Sequence, residues 1–545
     1  MCAVALSTAV MTPASAAPSH GDHFKPSITA PWANPDNGDA EPPSAAAPLC
    51  HTAPFSSTAA YAATSDVDAI VGDPVAPPGK WSNSGCRAPQ NETTIAVDPT
   101  DPLHLVVGAN DYRVCCDSIA RNDGTGWVYV SWDGGVTWRN TQVPGLTAET
   151  GGSGAFASVD SAGDPALSFA PDGTLYYANI VFNRSSAASG VAVSVSHDGG
   201  LSWGRPSMVS YVSAANFFND KEWIAAGPNG QVVVTWTKFL QGKQGLSYLS
   251  SPIVAAYSSD GGHSWNRQGS AVSDPAHPYN QGSRPMYGPD GTLYVAYEGS
   301  QPSTGYQTDA QVIARSTDNG RTFQNVEVGR VYDDLDCYPM FGGSQTLSGE
   351  QFRMNSFPAF SVDPLTGNLA IAWNDDQGAG SCGSGGTAFS GVTSSQVKLV
   401  TGAWGSLSAP VTVTSGPGDK VFPGVAIRDG KTVVSYYTRG YAATHNPAVC
   451  NVVTSNADPS GVAPVDGSVC LDYAAKTSTD GFQSEQRLTS EGSNPYIQFS
   501  DGAFIGDYTQ IVTGSDGVSH AAWTDFRGRP GVTAANQDVY VGTVH

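Results

Sequence analysis

The chain is short of charge, and above all of positive charge. Only 14% of its 545 residues are charged, and 26 Lys and Arg stand against 48 Asp and Glu, which gives a formal net charge of −22. A field of this sign repels phosphate backbones and anionic lipid surfaces. Nucleic acid is therefore not an expected partner, and an anionic ligand could bind only where arginines are gathered locally.

Long apolar runs and closely spaced cysteines are also missing. No stretch approaches the run of about 18 apolar residues that a spanning helix needs, so we expect no membrane insertion. The nine cysteines include no Cys-x-x-Cys pair, which favours disulfides over zinc. The apolar segment Met1–Val10, followed by the small residues Ala14-Ser15-Ala16, resembles a secretory signal. We therefore predict a secreted, extracellular protein, expected to be a monomer, with residues 1–17 as the signal peptide.

Turn residues and aromatics are abundant, and they recur in a pattern. Residues 18–85 are rich in Pro, Ala and Ser and are interpreted as an N-terminal arm. From residue 86 to residue 545, a short strand, a turn with Asp/Asn-Gly or Asp-Pro, and an apolar strand repeat. The seven copies begin at Thr93, Ala166, Trp223, Pro285, Pro358, Pro423 and Thr509.

In four copies a second hairpin follows, with the spacing Ser-x-Asp-x-Gly-x-x-Trp/Phe. These hairpins are SWDGGVTW (from Ser131), SHDGGLSW (from Ser196), SSDGGHSW (from Ser258) and STDNGRTF (from Ser316). Their separation of roughly 60 residues fits one four-stranded antiparallel blade per repeat. We predict an all-β, seven-bladed propeller over residues 86–545, with a six-bladed propeller carrying extra strands as the alternative. The seventh copy ends one strand short, so we expect part of the arm to close the ring.

The repeated aspartates have a local explanation. Asp133, Asp198, Asp260 and Asp318 can accept hydrogen bonds from the amides of their own turns, the following glycines can take positive φ, and the aromatic residue can pack back over the hairpin. We therefore interpret these aspartates as turn-building residues and not as calcium ligands or catalytic groups.

The motif resembles the Asp box, or BNR repeat, of the sialidase-like superfamily, and the resemblance runs from about Thr93 to the C-terminus. It implies a propeller and an exo-α-sialidase-like glycoside hydrolase. Sialidases use a tyrosine nucleophile, activated by a carboxylate, and three arginines that hold the sugar carboxylate. Two features depart from that pattern: six blades are expected for sialidases, and no Arg-Ile-Pro motif occurs at the first blade.

Strand register predicts which face carries function. The Asp boxes lie at one end of the blades, and the starts of the first strands and ends of the second strands lie at the other. The polar residues expected at that second end are Glu92, Asp111, Tyr112, Arg113, Asp164, Asn183, Arg184, Asp220, Glu222, Lys238, Arg284, Glu298, Asn355, Asp375, Asp376, Arg439, Asp507, Tyr508, Asp525 and Arg527.

From these residues we select a candidate site. The catalytic candidates are Asp164, Asp220, Asp507 and Tyr508, and the substrate-binding candidates are Arg113, Arg284, Arg527, Glu92 and Asp525. The simpler interpretation is that the acids cap loops and the arginines tie neighbouring blades together. No cofactor is required, although Glu92, Asp164, Asp220 and Asp507 could together hold a calcium ion.

The cysteines fall on the same face and are expected to pin its long loops. We predict the pairs Cys337 with Cys382, Cys450 with Cys470, and Cys86 with Cys115 or Cys116, where Cys50 could take the other.

Two functional hypotheses remain open, and both take a carbohydrate or glycoconjugate as partner. The first is a secreted sialidase-like glycoside hydrolase that acts on a terminal sugar, acidic or neutral. The second is a non-catalytic propeller that binds carbohydrate or protein at the same face. A lyase acting on uronate polymers is a third possibility.

Overall fold

The computed structural model describes residues 59–60, 66–71, 89–112, 124–242, 248–266, 269–301, 308–332, 338–341, 344–376, 393–451, 468–497, 504–527 and 537–544. The predicted signal peptide, Arg113, and the predicted pairings of Cys50, Cys86, Cys115, Cys116, Cys337 and Cys382 lie outside these residues. No helix in the described ranges is long and apolar enough to cross a membrane.

The described strands form seven antiparallel blades and a small ribbon. From the arm come β1 (Ala59–Ala60) and β2 (Asp66–Asp68). Blades one and two consist of β3 (Gln90–Val97), β4 (Leu105–Asp111), β5 (Thr125–Ser131) and β6 (Thr137–Gln142), and of β7 (Ser161–Phe169), β8 (Leu175–Phe182), β9 (Ser189–Ser196) and β10 (Ser207–Val212). Blades three and four consist of β11 (Phe217–Ala226), β12 (Val232–Gln241), β13 (Tyr248–Ser250), β14 (Ile253–Ser258) and β15 (Ser270–Ala271), and of β16 (Asn280–Tyr287), β17 (Leu293–Ser300), β18 (Asp309–Ser316) and β19 (Gln324–Val331).

The later blades follow the same plan. The ribbon is β20 (Met340–Phe341) with β21 (Ser344–Gln345). Blades five to seven consist of β22 (Ala359–Val362), β23 (Leu369–Asp376), β24 (Ser395–Ala403), β25 (Ser406–Leu407) and β26 (Val411–Thr412), then of β27 (Lys420–Arg428), β28 (Lys431–Thr438), β29 (Asp472–Thr477) and β30 (Gln486–Arg487), and finally of β31 (Gln510–Thr513), β32 (Ser519–Asp525) and β33 (Asp538–Val544). Helical turns are found at Gly154–Ser158, Pro228–Gly230, Ala442–Thr444, α1 (Pro447–Cys450), Ser478–Asp480 and Pro495–Ile497.

The first strand of every blade is innermost, and these seven strands form a ring. Each contacts the next in the order β3, β7, β11, β16, β22, β27 and β31, and β31 contacts β3. The seven-bladed propeller predicted from the repeats is thus confirmed, and the six-bladed alternative is not what forms. The core lies between blades, where apolar faces of neighbouring sheets meet; Tyr473 of blade six, for example, stacks on Trp523 of blade seven with ring centroids 4.8 Å apart.

Blade seven receives its outer strand from the arm. Strand β2 pairs with β33, placing Val67 opposite Val541. Asp66 accepts a hydrogen bond from the Ser490 amide at 2.9 Å and is ion-paired with the Arg527 guanidinium. The arm is therefore tied to the ring by a ladder and by a buried charge pair.

The four Ser-x-Asp-x-Gly hairpins close as turns. In the first, Asp133 accepts hydrogen bonds from Ser131 Oγ and the Thr137 amide, both at 2.8 Å, while the Trp138 indole donates to the Gly135 carbonyl at 3.0 Å. The acceptor bonds from the Ser hydroxyl and the turn amide recur at Asp198, Asp260 and Asp318. These hydrogen bonds hold the pKa of all four carboxyls below the usual range even where burial opposes them. The aspartates are occupied within their own turns.

Different parts of each repeat lie at the two ends of the ring axis. In an antiparallel blade the first strand begins, and the second ends, at one end, which we call the mouth. The hairpins lie at the other end, which we call the hairpin end. Cys450 and Cys470 sit between β28 and β29, hence at the mouth, and they form the predicted disulfide with an S–S distance of 2.00 Å.

Candidate active site

Five of the seven inner strands are interrupted at the same point near the mouth. In each, the ladder to the second strand skips two residues, and the first of them has a positive φ. These residues are Glu92 (φ 55), Asp164 (φ 53), Lys221 (φ 51), Gly282 (φ 67) and Phe422 (φ 50). In blades five and seven Phe357 and Tyr508 hold the corresponding positions. A left-handed backbone costs a non-glycine residue about 1–3 kcal/mol, and such strain clusters at functional sites.

Only blade four places a glycine at this bulge. A Cβ on Gly282 would lie 2.7 Å from the Phe357 ring, so the glycine makes room for the neighbouring aromatic side chain. The residue at this position is thus charged in blades one to three and aromatic in blades five to seven.

Lys221 is the centre of the charged half. Its ammonium lies 2.7 Å from Asp507, 3.0 Å from Asp164, 3.6 Å from Glu92 and 3.9 Å from Asp220. Burial alone would lower its pKa, but these four carboxyl groups raise it well above the usual range. One buried lysine therefore links the first strands of blades one, two, three and seven.

A second cation fixes Asp507. The Arg353 guanidinium binds this carboxylate in a bidentate manner, with Nε 2.7 Å from Oδ1 and a second contact from Nη2. Burial raises the pKa of Asp507, but Arg353 and Lys221 outweigh it and hold the pKa below the usual range. Asp507 is thus an ionised anchor and not a proton donor.

Glu92 and Glu222 have the opposite character. Burial, followed by the charge of Asp164, raises the pKa of both carboxyl groups well above the usual range. Asn110 donates from Nδ2 to Glu92 at 2.7 Å, and its Oδ1 accepts from the Asp164 amide at 2.6 Å. These contacts orient the Glu92 carboxyl, whose pKa is raised, next to the lysine-paired Asp164.

A small cavity borders this cluster at the mouth. Its volume is about 30 Å³, which is about one water's share of liquid volume. The lining contains three acids, four aromatic rings and an arginine, namely Glu92, Asp164, Asp220, Tyr112, Phe182, Phe218, Phe504 and Arg184. The lining thus combines the polar and apolar surfaces that a sugar needs, and a cavity of this size admits about one hydroxyl group and not a whole ring.

Below the cluster, the axis is crossed by an aromatic and cationic stack. The Arg284 guanidinium lies 3.4 Å from the Trp223 ring centroid and 4.8 Å from that of Tyr508. Arg284 and Trp223 line a second cavity of about 160 Å³. That cavity is bounded by the C-terminal halves of the inner strands, and Arg284 lines it and not the mouth cavity where it was predicted.

Tyr508 is poorly placed for the nucleophile role. Burial, followed by the charges of Glu92 and Asp164, raises the pKa of its phenol well above the usual range. Its hydroxyl is buried without a hydrogen-bond partner among the described residues. A nucleophile needs a base within hydrogen-bond reach, and no such partner meets the Tyr508 hydroxyl among the described residues.

The remaining predicted residues are tied into the scaffold. Arg527 pairs with Asp525 at 2.9 Å and with Asp66, and its guanidinium stacks over Tyr540, so Arg527 and Asp525 lie in the outer part of blade seven. Arg439 pairs with Asp419 at 3.2 Å. For these two arginines the simpler interpretation, a tie within the scaffold, describes the observed contacts.

Sequence reasoning missed Lys221 and Arg353. A signal for Lys221 was present, because it lies eight residues before Asn229 in the hairpin turn of its blade. The same interval separates Asp164 from Asp172 and Tyr508 from Asp516. Arg353 precedes its inner strand by several residues, and no periodicity marks it.

The predicted calcium position is already filled by a side chain of the protein. Hard cations are held by several oxygens from separate elements, and the point at which the axial carboxylates converge is filled by the Lys221 ammonium. In the described residues, the group of His, Cys and acidic side chains compact enough for a metal is His445 with Cys450 and Cys470, and both of these thiols are oxidised in the disulfide.

Near that disulfide lies an arrangement of Ser, His and Asp. His445 contacts Ser468 Oγ at 2.7 Å and Asp472 at 2.6 Å. Asp472 also binds Arg487 and Thr489, and Ser468 is only 4% exposed. Because the serine is covered, we interpret the group as a buried polar network that fixes the loop.

Comparisons with known proteins place the chain near several enzymes at low similarity. No protein-family profile matches the sequence, and no curated protein matches it. Among solved structures, a mutant of Trypanosoma rangeli sialidase displaying trans-sialidase activity is similar at 15% identity and a TM-score of 0.38, over 70% of this chain and 58% of that chain. The chain thus spans less than two thirds of that sialidase.

Two further solved structures are similar at the same level. The GH93 α-L-arabinofuranosidase of Fusarium graminearum has 13% identity and a TM-score of 0.39, over 64% of this chain and 88% of that chain. A PL25 ulvan lyase has 10% identity and a TM-score of 0.39, over 64% of this chain and 76% of that chain. The site is therefore interpreted from its own geometry.

Proposed function

We propose that the chain is an extracellular glycoside hydrolase, that the mouth is its active site and that Glu92 is its proton donor. The observation that carries this proposal is the buried Glu92 carboxyl, whose pKa is raised well above its usual range, held beside the lysine-paired Asp164 on the wall of the mouth cavity. Glycoside hydrolysis uses one acid that protonates the leaving oxygen and a second carboxylate, about 5–10 Å away, that acts as base or nucleophile. Asp164 and Asp220 are the candidates for the second role.

The substrate is a terminal sugar, acidic or neutral. Arg184, stacked 4.8 Å above the Phe182 ring, is the cation on the cavity wall that could meet a sugar carboxylate. An extracellular setting is part of the proposal, supported by the disulfide between Cys450 and Cys470, since such bonds persist in oxidising compartments.

A second candidate function, a non-catalytic carbohydrate-binding propeller, is favoured by one observation. Lys221 and Arg353 already compensate Asp164 and Asp507 in the mouth. Carboxylates whose charges are already paired in this way could serve only to hold the blades together. Sugar would then bind to the aromatic rings that line the mouth cavity.

Fluorogenic glycosides of acidic and neutral sugars, hydrolysed by the purified full-length chain, separate the two functions. We expect turnover of at least one glycoside, reduced about 10²–10⁴-fold in Glu92→Gln because general acid catalysis contributes that much. Asp133→Asn, at the hairpin end, is the matched control and should keep wild-type turnover. Absence of turnover on every glycoside, together with wild-type sugar binding in Glu92→Gln, would overturn the catalytic proposal.

A further inference from the structure

The cavity at the hairpin end contains a buried cation without a hydrogen-bonded partner. Arg284 is 8% exposed and lines the cavity of about 160 Å³. Within the described residues no acceptor meets its guanidinium, and no carboxylate lies within ion-pair distance of it. Five N–H donors directed at no acceptor are costly in a buried position unless a ligand or water satisfies them.

The aromatic contacts of Arg284 do not remove this need. Its guanidinium stacks on Trp223 and approaches Tyr508, and these contacts use the face of the guanidinium plane. The N–H groups lie in that plane and remain available at its edge. Burial lowers the pKa of Arg284 to about 10, so the group stays charged at neutral pH.

The nearby acids act on Arg284 only through space. Glu92, Asp164 and Glu222 oppose the effect of burial on its pKa. Asp164, however, receives its hydrogen bond from Lys221, and Glu92 receives its own from Asn110. The tie that engages the other predicted arginines, Arg439 and Arg527, is missing at Arg284.

A second polar side chain belongs to the same lining. Gln510 lines the cavity, and its Oε1 accepts hydrogen bonds from Thr94 Oγ1 at 2.8 Å and from the Ile95 amide at 3.0 Å. With the oxygen engaged, the amide NH₂ of Gln510 is the group left to donate. The other lining side chains include the aromatic rings of Phe169, Trp223, Tyr287 and Phe360.

We propose that this cavity is a binding site for a small organic carboxylate, whose two oxygens bind the edge of Arg284 and whose apolar part packs on the aromatic walls. Bidentate pairing with a planar carboxylate is the geometry that a guanidinium favours. A volume of about 160 Å³ is of the order that admits a benzene-sized ring. The site is separate from the mouth and does not depend on the function proposed there.

Ligand-observed NMR with benzoate and propionate, and with neutral benzamide as the uncharged control, tests the site on the full-length chain. We expect saturable binding of at least one of the two acids, at least tenfold tighter than that of benzamide. Arg284→Met should weaken it at least tenfold, and Ala226→Leu, which narrows the cavity without touching the arginine, should do the same. Arg315→Met, which alters an arginine over Trp404 away from the axis, should have no effect.

Each result is decisive because the variants act differently. Undiminished acid binding in Ala226→Leu, equal binding of benzamide, or no binding of either acid to the wild type would overturn the proposal and leave a hydrated cavity. Ala226→Leu keeps the test valid if Arg284→Met fails to fold. Glu92→Gln should bind the acid as the wild type does, so failure here is distinguishable from failure of the active-site proposal.

Discussion

The two ends of the propeller axis are built from the same seven strands and yet differ in chemistry. At the mouth, acids from four blades converge on Lys221, and a cavity of about 30 Å³ remains. At the hairpin end, a cavity of about 160 Å³ is lined by aromatic rings and by Arg284. The bulges separate the two, because a residue of positive φ redirects side chains locally. Two unpaired residues in each bulged inner strand thus separate the residues of the mouth from those of the hairpin end.

The largest effect is expected from removing the centre of the mouth cluster. Lys221→Met removes the shared cation from a group of buried carboxylates, which should lower the free energy of unfolding by about 3–5 kcal/mol at pH 7. Chemical denaturation measures it, and the loss should shrink near pH 4 as the acids become protonated. Lys238→Met, on strand β12 of the same blade, where the lysine lies over the Phe217 ring, is the control. A loss below about 1 kcal/mol at pH 7 would mean that the charges are not coupled as described.

The pH dependence of stability tests the protonated acid. Because the pKa of folded Glu92 is raised, the unfolded chain releases this proton at lower pH than the folded chain does. Stability should therefore fall as pH rises from about 4.5 towards the folded pKa, by up to about 1.4 kcal/mol per pH unit. Glu92→Gln should reduce that slope and leave the part that comes from Glu222, measured by denaturation between pH 5 and 8. An identical slope in both proteins would contradict a raised pKa.

A smaller effect is expected at the hairpin end. Asp133→Ala removes the acceptor of the Ser131 and Thr137 hydrogen bonds in one exposed turn. Chemical denaturation should show that the free energy of unfolding falls by about 1 kcal/mol, and sugar binding at the mouth should be unchanged. Loss of mouth function without loss of stability would show that the hairpins act at a distance.

The smallest effect is expected from Tyr508→Phe. Its hydroxyl has no hydrogen-bond partner among the described residues, so its removal should change stability by less than about 0.5 kcal/mol. Turnover should stay within a few-fold of wild type in the glycoside assay. Loss of turnover with retained stability would restore Tyr508 as the nucleophile that the sialidase resemblance implies.

The features that the sequence predicts correctly are those that recur at a fixed spacing along the chain. The hairpin aspartates and the seven strand pairs recur at fixed spacing, so the propeller and the convergence of Glu92, Asp164 and Asp220 follow from register alone. Register fixes the end of the axis at which a residue lies but not its distance from the axis. Arg527 was therefore predicted at the site although it belongs to an outer tie.

The strand repeat did not predict where the Lys221 and Arg284 side chains point or which residues they contact. Lys221 stands between two acids in sequence, where a lysine is ordinarily solvated. Only the bulge directs its side chain into the group of axial carboxylates. Arg284 was predicted at the mouth because its strand starts there, whereas stacking on Trp223 carries its guanidinium to the other cavity. Such choices are made by tertiary packing after the strands have paired.

Infrared difference spectroscopy of wild type against Glu92→Gln at pH 7 tests the central claim most directly, since it detects the carbonyl stretch of a protonated carboxyl group. We expect a protonated-carboxyl band in the wild type that is weaker in Glu92→Gln, where only Glu222 remains to contribute, and unchanged in Asp133→Asn. A protonated-carboxyl band of equal strength in the wild type and Glu92→Gln would contradict this expectation, because Glu92 would then hold no proton to donate.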